Sequence, residues 1–132
     1  GDCDRQGEAM SERVRGYIDR GRKVTAAQYD AALARQKEMA DAMDDFVGDG
    51  VLLMPATTDI APLLTEGTGP REPQRLWTLV GLPAMTVPVG RIDGLPVGVQ
   101  IIGPQYGDRT CIHFAGLLEK HFQGFTPPPG FD

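Results

Sequence analysis

The sequence predicts an α/β fold: a mixed sheet with helices on its faces. Three observations carry that expectation. Gly and Pro supply 17 and 11 of the 132 residues, well above their ordinary share and a mark of many tight turns. The apolar spacing is helical before Gly50 and becomes β-type after it. The resulting order is helix, helix, strand, loop, helix, hairpin, helix, with no internal repeat, which suits a layered arrangement rather than a bundle. Two or three strands cover four helices only in part, so the sheet is expected to be completed by strands outside this sequence.

Residues 1–10 carry no periodicity and are expected to be a disordered lead-in. Ser11 can cap a helix reaching Arg20, which Gly21 would end. Thr25-Ala26-Ala27-Gln28 is a capping box, a hydroxyl residue followed three later by Gln, each able to satisfy a backbone N–H. The helix it opens carries Tyr29, Leu33, Met39, Met43 and Phe46 on one stripe with Ala32, Ala40 and Val47, while Arg35, Lys37, Glu38 and Asp41 fall largely elsewhere. Gly48 and Gly50 bound it. Val51-Leu52-Leu53-Met54, stopped by Pro55, is an unbroken apolar run of the kind buried on both faces.

Residues 56–70 are turn-rich and predict a long surface loop. A short helical patch, Leu76, Trp77, Leu79 and Val80, closes at Gly81 and Pro83. Ala84–Val89 and Val97–Ile102 are β-rich runs around Asp93-Gly94, a hairpin signal. Pro88 donates no ladder bond, which places it at an edge, bulge or strand end. Asp108 caps a last helix to about Phe122, with Ile112, Ala115, Leu118 and Phe122 on its buried stripe. Residues 124–132, with Thr126-Pro127-Pro128-Pro129, predict an extended tail, leaving 11–123 as the folded part.

Composition narrows the function classes. Thirteen Lys and Arg against 18 Asp and Glu leave a net charge of −5. No basic run exceeds Arg20-Gly21-Arg22-Lys23, so no nucleic-acid partner is expected. No apolar stretch approaches the roughly 20 residues that cross a bilayer, and no membrane role is expected. The first residues lack both a signal-peptide core and an initiator Met, so the chain is expected to be processed, tagged or cut from something longer, and two widely separated cysteines suit a cytoplasmic protein. Cys3 and Cys111 read as two reduced thiols. Cys111 and His113, two apart, would face different ways on a helix, so no metal site is expected. His113 and His121 read as solvent-facing or satisfied, and Asp44, Asp45 and Asp49 as surface charge. Gln100 reads as a hydrogen-bonding strand residue, directed across the sheet or towards a cleft.

From Trp77 onward the residues carry a resemblance. Gly81-Leu82-Pro83-Ala84-Met85-Thr86-Val87-Pro88-Val89-Gly90, then Asp93-Gly94-Leu95-Pro96-Val97-Gly98-Val99-Gln100-Ile101-Ile102-Gly103-Pro104, resembles the carboxyl-terminal region of the amidase signature family. Thr25, Tyr29 and Ala32 on the long helix, the run into Met54-Pro55-Ala56-Thr57, Ala61-Pro62, and Gly107-Asp108 opening the last helix agree in order. The resemblance implies an incomplete part of a larger α/β/α domain, with 11–123 as the carboxyl-terminal part of an amidase. It implies a hydrolase of carbon–nitrogen amide bonds working through an acyl-enzyme, with a nucleophilic serine, a second serine in a cis peptide and a lysine base.

Those groups do not carry over. Ser11 is the chain's one serine, and Lys23, Lys37 and Lys120 are its lysines, none beside a Gly/Ser loop. A nucleophile needs a base within hydrogen-bond reach and donors aimed at the oxyanion. No residue is therefore assigned as catalytic, no cofactor is expected, and the chain alone is expected to be inactive. The resemblance makes Trp77 and Thr78 the candidates to line a substrate pocket, although the family commonly has Asn at the second position. On the residues alone, Trp77 reads first as a core aromatic bridging helix and sheet, and Thr78 equally as a helix-surface or backbone-bonded hydroxyl. Arg71 stands near the acidic position of relatives that accept glutamine, so glutamine use is not expected. The expected partners are the missing amino-terminal part of the amidase, a small amide substrate and, as family members often pair, a second copy. The competing expectation is a noncatalytic amidase-like module that binds a partner through Trp77 and the loop 57–70.

Overall fold

A computed structural model describes residues 9–122. Most of the expected lead-in, the expected tail and Cys3 lie outside the described residues. The chain divides into two compact units, Gly1–Arg35 and Gln36–Asp132.

The first unit holds helix α1, Glu12–Gly21, and the start of α2, Ala26–Val47. Ser11 caps α1, its Oγ accepting from Val14 N–H at 3.4 Å. Gly21 lies inside the helix rather than after it, and Arg22 is the cap, its N–H donating to Ile18 O at 2.9 Å. The capping box of α2 forms as expected. Thr25 Oγ1 accepts from Gln28 N–H at 3.2 Å, and Gln28 Oε1 accepts from Thr25 N–H at 2.9 Å. Tyr29 and Leu33, expected on the buried stripe, are 58% and 44% exposed.

In the second unit, strands β1 (Leu52–Pro55), β2 (Ala84–Ile92) and β3 (Leu95–Ile102) form a sheet in the order β1-β3-β2, both ladders antiparallel. Helix α3 is Glu72–Val80 and α4 is Asp108–Phe122. The loop after β1 carries one short 3₁₀ turn, Leu64–Glu66. Two bonds set the phase of the ladders: Ala56 N–H to Gly98 O and Gly103 N–H to Pro83 O, each 3.0 Å. Even-numbered residues of β3 therefore bond to β1 and odd-numbered ones to β2. Pro88 pairs with Gly98, so its nitrogen points away from β3 and no ladder bond is lost. A register shift between Pro88 and Gly90 follows directly after it. Asp93 and Gly94 take φ 51° and 79°, the left-handed pair of a two-residue hairpin turn.

The same alternation separates two cores. Ile102, with Leu52 and Met54, packs with Val47, Trp77, Val80 and Leu82 under α2 and α3. Ile101, with Val87 and Met85, packs with Cys111, Phe114, Ala115 and Leu118 of α4. The sheet thus lies between helices on both faces. Three expectations need correction. Phe46 is 69% exposed, because Met39, Ala40, Met43 and Val47 define the packed arc and Phe46 falls at its margin. On α4, Ile112 and Phe122 are 58% and 43% exposed; Cys111, Phe114, Ala115 and Leu118, at i, i+3, i+4 and i+7, take the buried face instead. β1 is half-buried on one face, through Leu52 and Met54, and open on the other, since Leu53 is 54% exposed on the side that α4 leaves uncovered.

Candidate substrate-pocket wall

α3 projects Trp77 and Thr78 in different ways. Trp77 is 7% exposed and part of the first core, its indole N–H donating to Met54 Sδ at 3.2 Å. Thr78 is exposed, and its hydroxyl donates to Gln74 O at 3.0 Å, a bond back to the preceding helical turn. Both border one cavity of about 360 Å³, with Gly81, Leu82, Pro83, Gln105, Tyr106 and Asp108. Trp77 therefore combines a core position with an edge on the cavity. It cannot serve an exposed patch.

The surrounding bonds hold α3 against the sheet. Gln100, 2% exposed, donates from Nε2 to Pro73 O at 3.5 Å. Gln74 Nε2 donates to Ala56 O, and Gln36 Nε2 on α2 donates to Leu79 O at 2.6 Å. Gly81, at φ 72°, ends α3 in the left-handed cap that glycine allows. Opposite α3, the turn 104–107 closes the cavity: Gly107 N–H donates to Pro104 O at 2.8 Å. Asp44 reaches this turn from α2, its Oδ1 accepting from Gln105 N–H at 2.5 Å. The carboxylate expected as plain surface charge is a tether.

Cys111 is 2% exposed and its Sγ lies 3.7 Å from Pro83 O. Burial pushes its thiol up from the ordinary range, which disfavours the reactive thiolate. Ser11 and Lys37 are exposed, and Lys37 Nζ pairs with Asp41 Oδ2 at 2.7 Å. That hydrogen bond and the carboxylate's charge raise the lysine's affinity for its proton, the reverse of what a base needs. His113 and His121 are exposed. Among the described residues no group of three His, Cys, Asp or Glu could hold a metal ion, and no helix is long and apolar enough to cross a membrane. A second, larger cavity of about 730 Å³ lies on the α4 side of the sheet, bordered by Leu53, Val99, Leu118 and Phe122. Sequence reasoning missed Tyr106, Gln105 and Asp108 as cavity residues. The signal was an aromatic inside a Pro-Gln-Tyr-Gly-Asp turn that opens a helix.

A family model described as Amidase matches residues 4–112. This chain belongs to the amidase signature family. It is 32% identical over 121 residues to a glutamyl-tRNA(Gln) amidotransferase subunit of Oenococcus oeni, covering 81% of this chain and 24% of that protein. The protein of the same name from Halobacterium salinarum is 52% identical over 42 residues, 32% of this chain and 10% of that protein. Among solved structures, an amidase superposes with a TM-score of 0.76 at 25% identity, over 90% of this chain and 30% of that one. The native peptide amidase of Stenotrophomonas maltophilia gives 0.63 at 26% identity, over 82% and 23%. The chain spans less than a third of the length of each of these proteins.

Proposed function

We propose that this chain is the carboxyl-terminal part of an amidase that hydrolyses carbon–nitrogen amide bonds through an acyl-enzyme. In this reading residues 11–123 complete the sheet and wall one side of the substrate pocket with Trp77 and Thr78. The amino-terminal part supplies the nucleophile, the base and the oxyanion donors, and the working enzyme is cytoplasmic. The observation that carries the reading is chemical: within the family, this chain holds one serine, Ser11, and that serine is engaged in capping a helix. A hydroxyl nucleophile also needs a neighbouring base that shares its proton. The uncovered side of β1 and the apolar cavity bordered by Leu53 and Leu118 suit contact with the remainder of such a domain.

The test is hydrolysis of aryl amides such as p-nitroanilides. The purified chain is expected to give no turnover and no labelling by a serine-directed fluorophosphonate. Combination with the amino-terminal part of the amidase is expected to restore both. Turnover by the chain alone would sink the proposal.

A second reading, a noncatalytic binding module, draws on Leu63 and Leu64, which are 69% and 97% exposed in the loop after β1. It requires the chain to bind its partner while the combined proteins still release no amine.

A further inference from the structure

Tyr106 is 89% exposed and sits at φ 60°. A bulky side chain in the left-handed region is strained, and such strain persists only where the surroundings impose it. Here they do. Asp44 tethers Gln105 on one side of it, and Gly107 bonds back to Pro104 on the other. A Cβ on Gly103 would come within 2.6 Å of Cys111 Sγ and 3.2 Å of Gly107 O, so the turn is pressed against α4. The turn is held by packed groups, yet the ring it projects stands almost wholly in solvent at the rim of the cavity shared with Trp77, Thr78, Leu82 and Pro83.

We infer that Tyr106 is the specificity-determining wall of this cavity, selecting amides with a planar aromatic acyl group. The inference rests on the proposed reading that the cavity faces substrate. The chemistry is divided across the site. The Tyr106 ring and the carbon surfaces of Leu82 and Pro83 suit the face and edge of an aromatic ring. The amide N–H groups of the ligand find acceptors in the Asp108 carboxylate and in the Thr78 hydroxyl oxygen, whose own proton is already given to Gln74 O. A cavity of about 360 Å³ is large enough for one such ring.

Binding to the intact 132-residue chain tests this without requiring catalysis. Trp77 is the chain's single tryptophan, so its indole N–H gives one resonance in an ¹⁵N-labelled sample. Titration with benzamide is expected to shift that resonance saturably, and acetamide to do so at least threefold more weakly. Tyr106→Gly, which keeps the left-handed backbone, is expected to weaken benzamide about three- to tenfold, the value of one aromatic contact. Tyr106→Phe is expected to retain binding, as is Phe46→Ala on the exposed side of α2. Absence of a saturable benzamide shift, equal affinity in Tyr106→Gly, or equal affinity for the two amides would overturn the inference. Failure of the combined proteins to hydrolyse amides would instead defeat the proposed function and leave the titration unchanged.

Discussion

Among single residues, close backbone approach and burial decide the outcome. A Cβ on Gly103 would meet Cys111 Sγ at 2.6 Å and the Gly107 carbonyl at 3.2 Å, so the buried thiol must turn aside and the backbone carbonyl must give. Gly103→Ala is expected to cost about 2 kcal/mol, within the range for overpacked sites. That lowers the melting temperature by about 7 °C for a chain this size, readable by scanning calorimetry. Cys111 supplies a pH prediction. Its folded thiol titrates above the unfolded one because burial penalises the thiolate. Stability is therefore at its full value below the unfolded thiol range, about pH 8.5, and falls as pH rises through the folded pKa. Urea midpoints between pH 7.5 and 10 should show this decline, and Cys111→Ala should remove its thiol component.

Between elements, a few directed bonds set the cavity. Asp44 joins α2 to the turn before α4 across 61 residues, and Gln36 joins α2 to the last turn of α3. A half-buried carboxylate accepting one backbone N–H contributes about 1 kcal/mol. Asp44→Ala is expected to lower stability by that amount and to speed hydrogen exchange at Gln105, whereas Asp44→Asn keeps an acceptor oxygen and retains most of the protection. The hairpin behaves differently. Its Asp93-Gly94 turn is local, so its geometry follows from neighbouring residues without help from the rest of the fold.

Across the whole second unit, the alternation of β3 distributes the chain into two cores with unequal cover. Ile101 is fully buried against α4, and Ile101→Ala is expected to cost about 2–5 kcal/mol, in the range measured for large-to-small core changes. Leu53 pairs with Ile101 in the ladder yet is 54% exposed, and Leu53→Ala should cost about 1 kcal/mol or less. Comparing their denaturation midpoints reads the cover directly. Near-equal losses would mean that the α4 side of β1 is packed after all.

Features that depend on neighbours in the chain were legible before any coordinates. The capping box at Thr25 and Gln28, the turn at Asp93-Gly94 and the restriction of Pro88 to an edge, bulge or strand end are of this kind, because sterics and hydrogen-bond valence leave few choices over a few residues. The family was legible for a related reason: Gly81-Leu82-Pro83 and Gly90 through Pro104 form a dense pattern of turns and strand residues. Which apolar residues are covered had to wait for packing. Phe46 and Ile112 are as hydrophobic as Met43 and Cys111, but a helix buries the arc its neighbours fill, and no local pattern specifies where that arc ends. The same holds for the cavity, since Asp44 and the turn that carries Tyr106 meet only because β3 returns the chain to the end of α2.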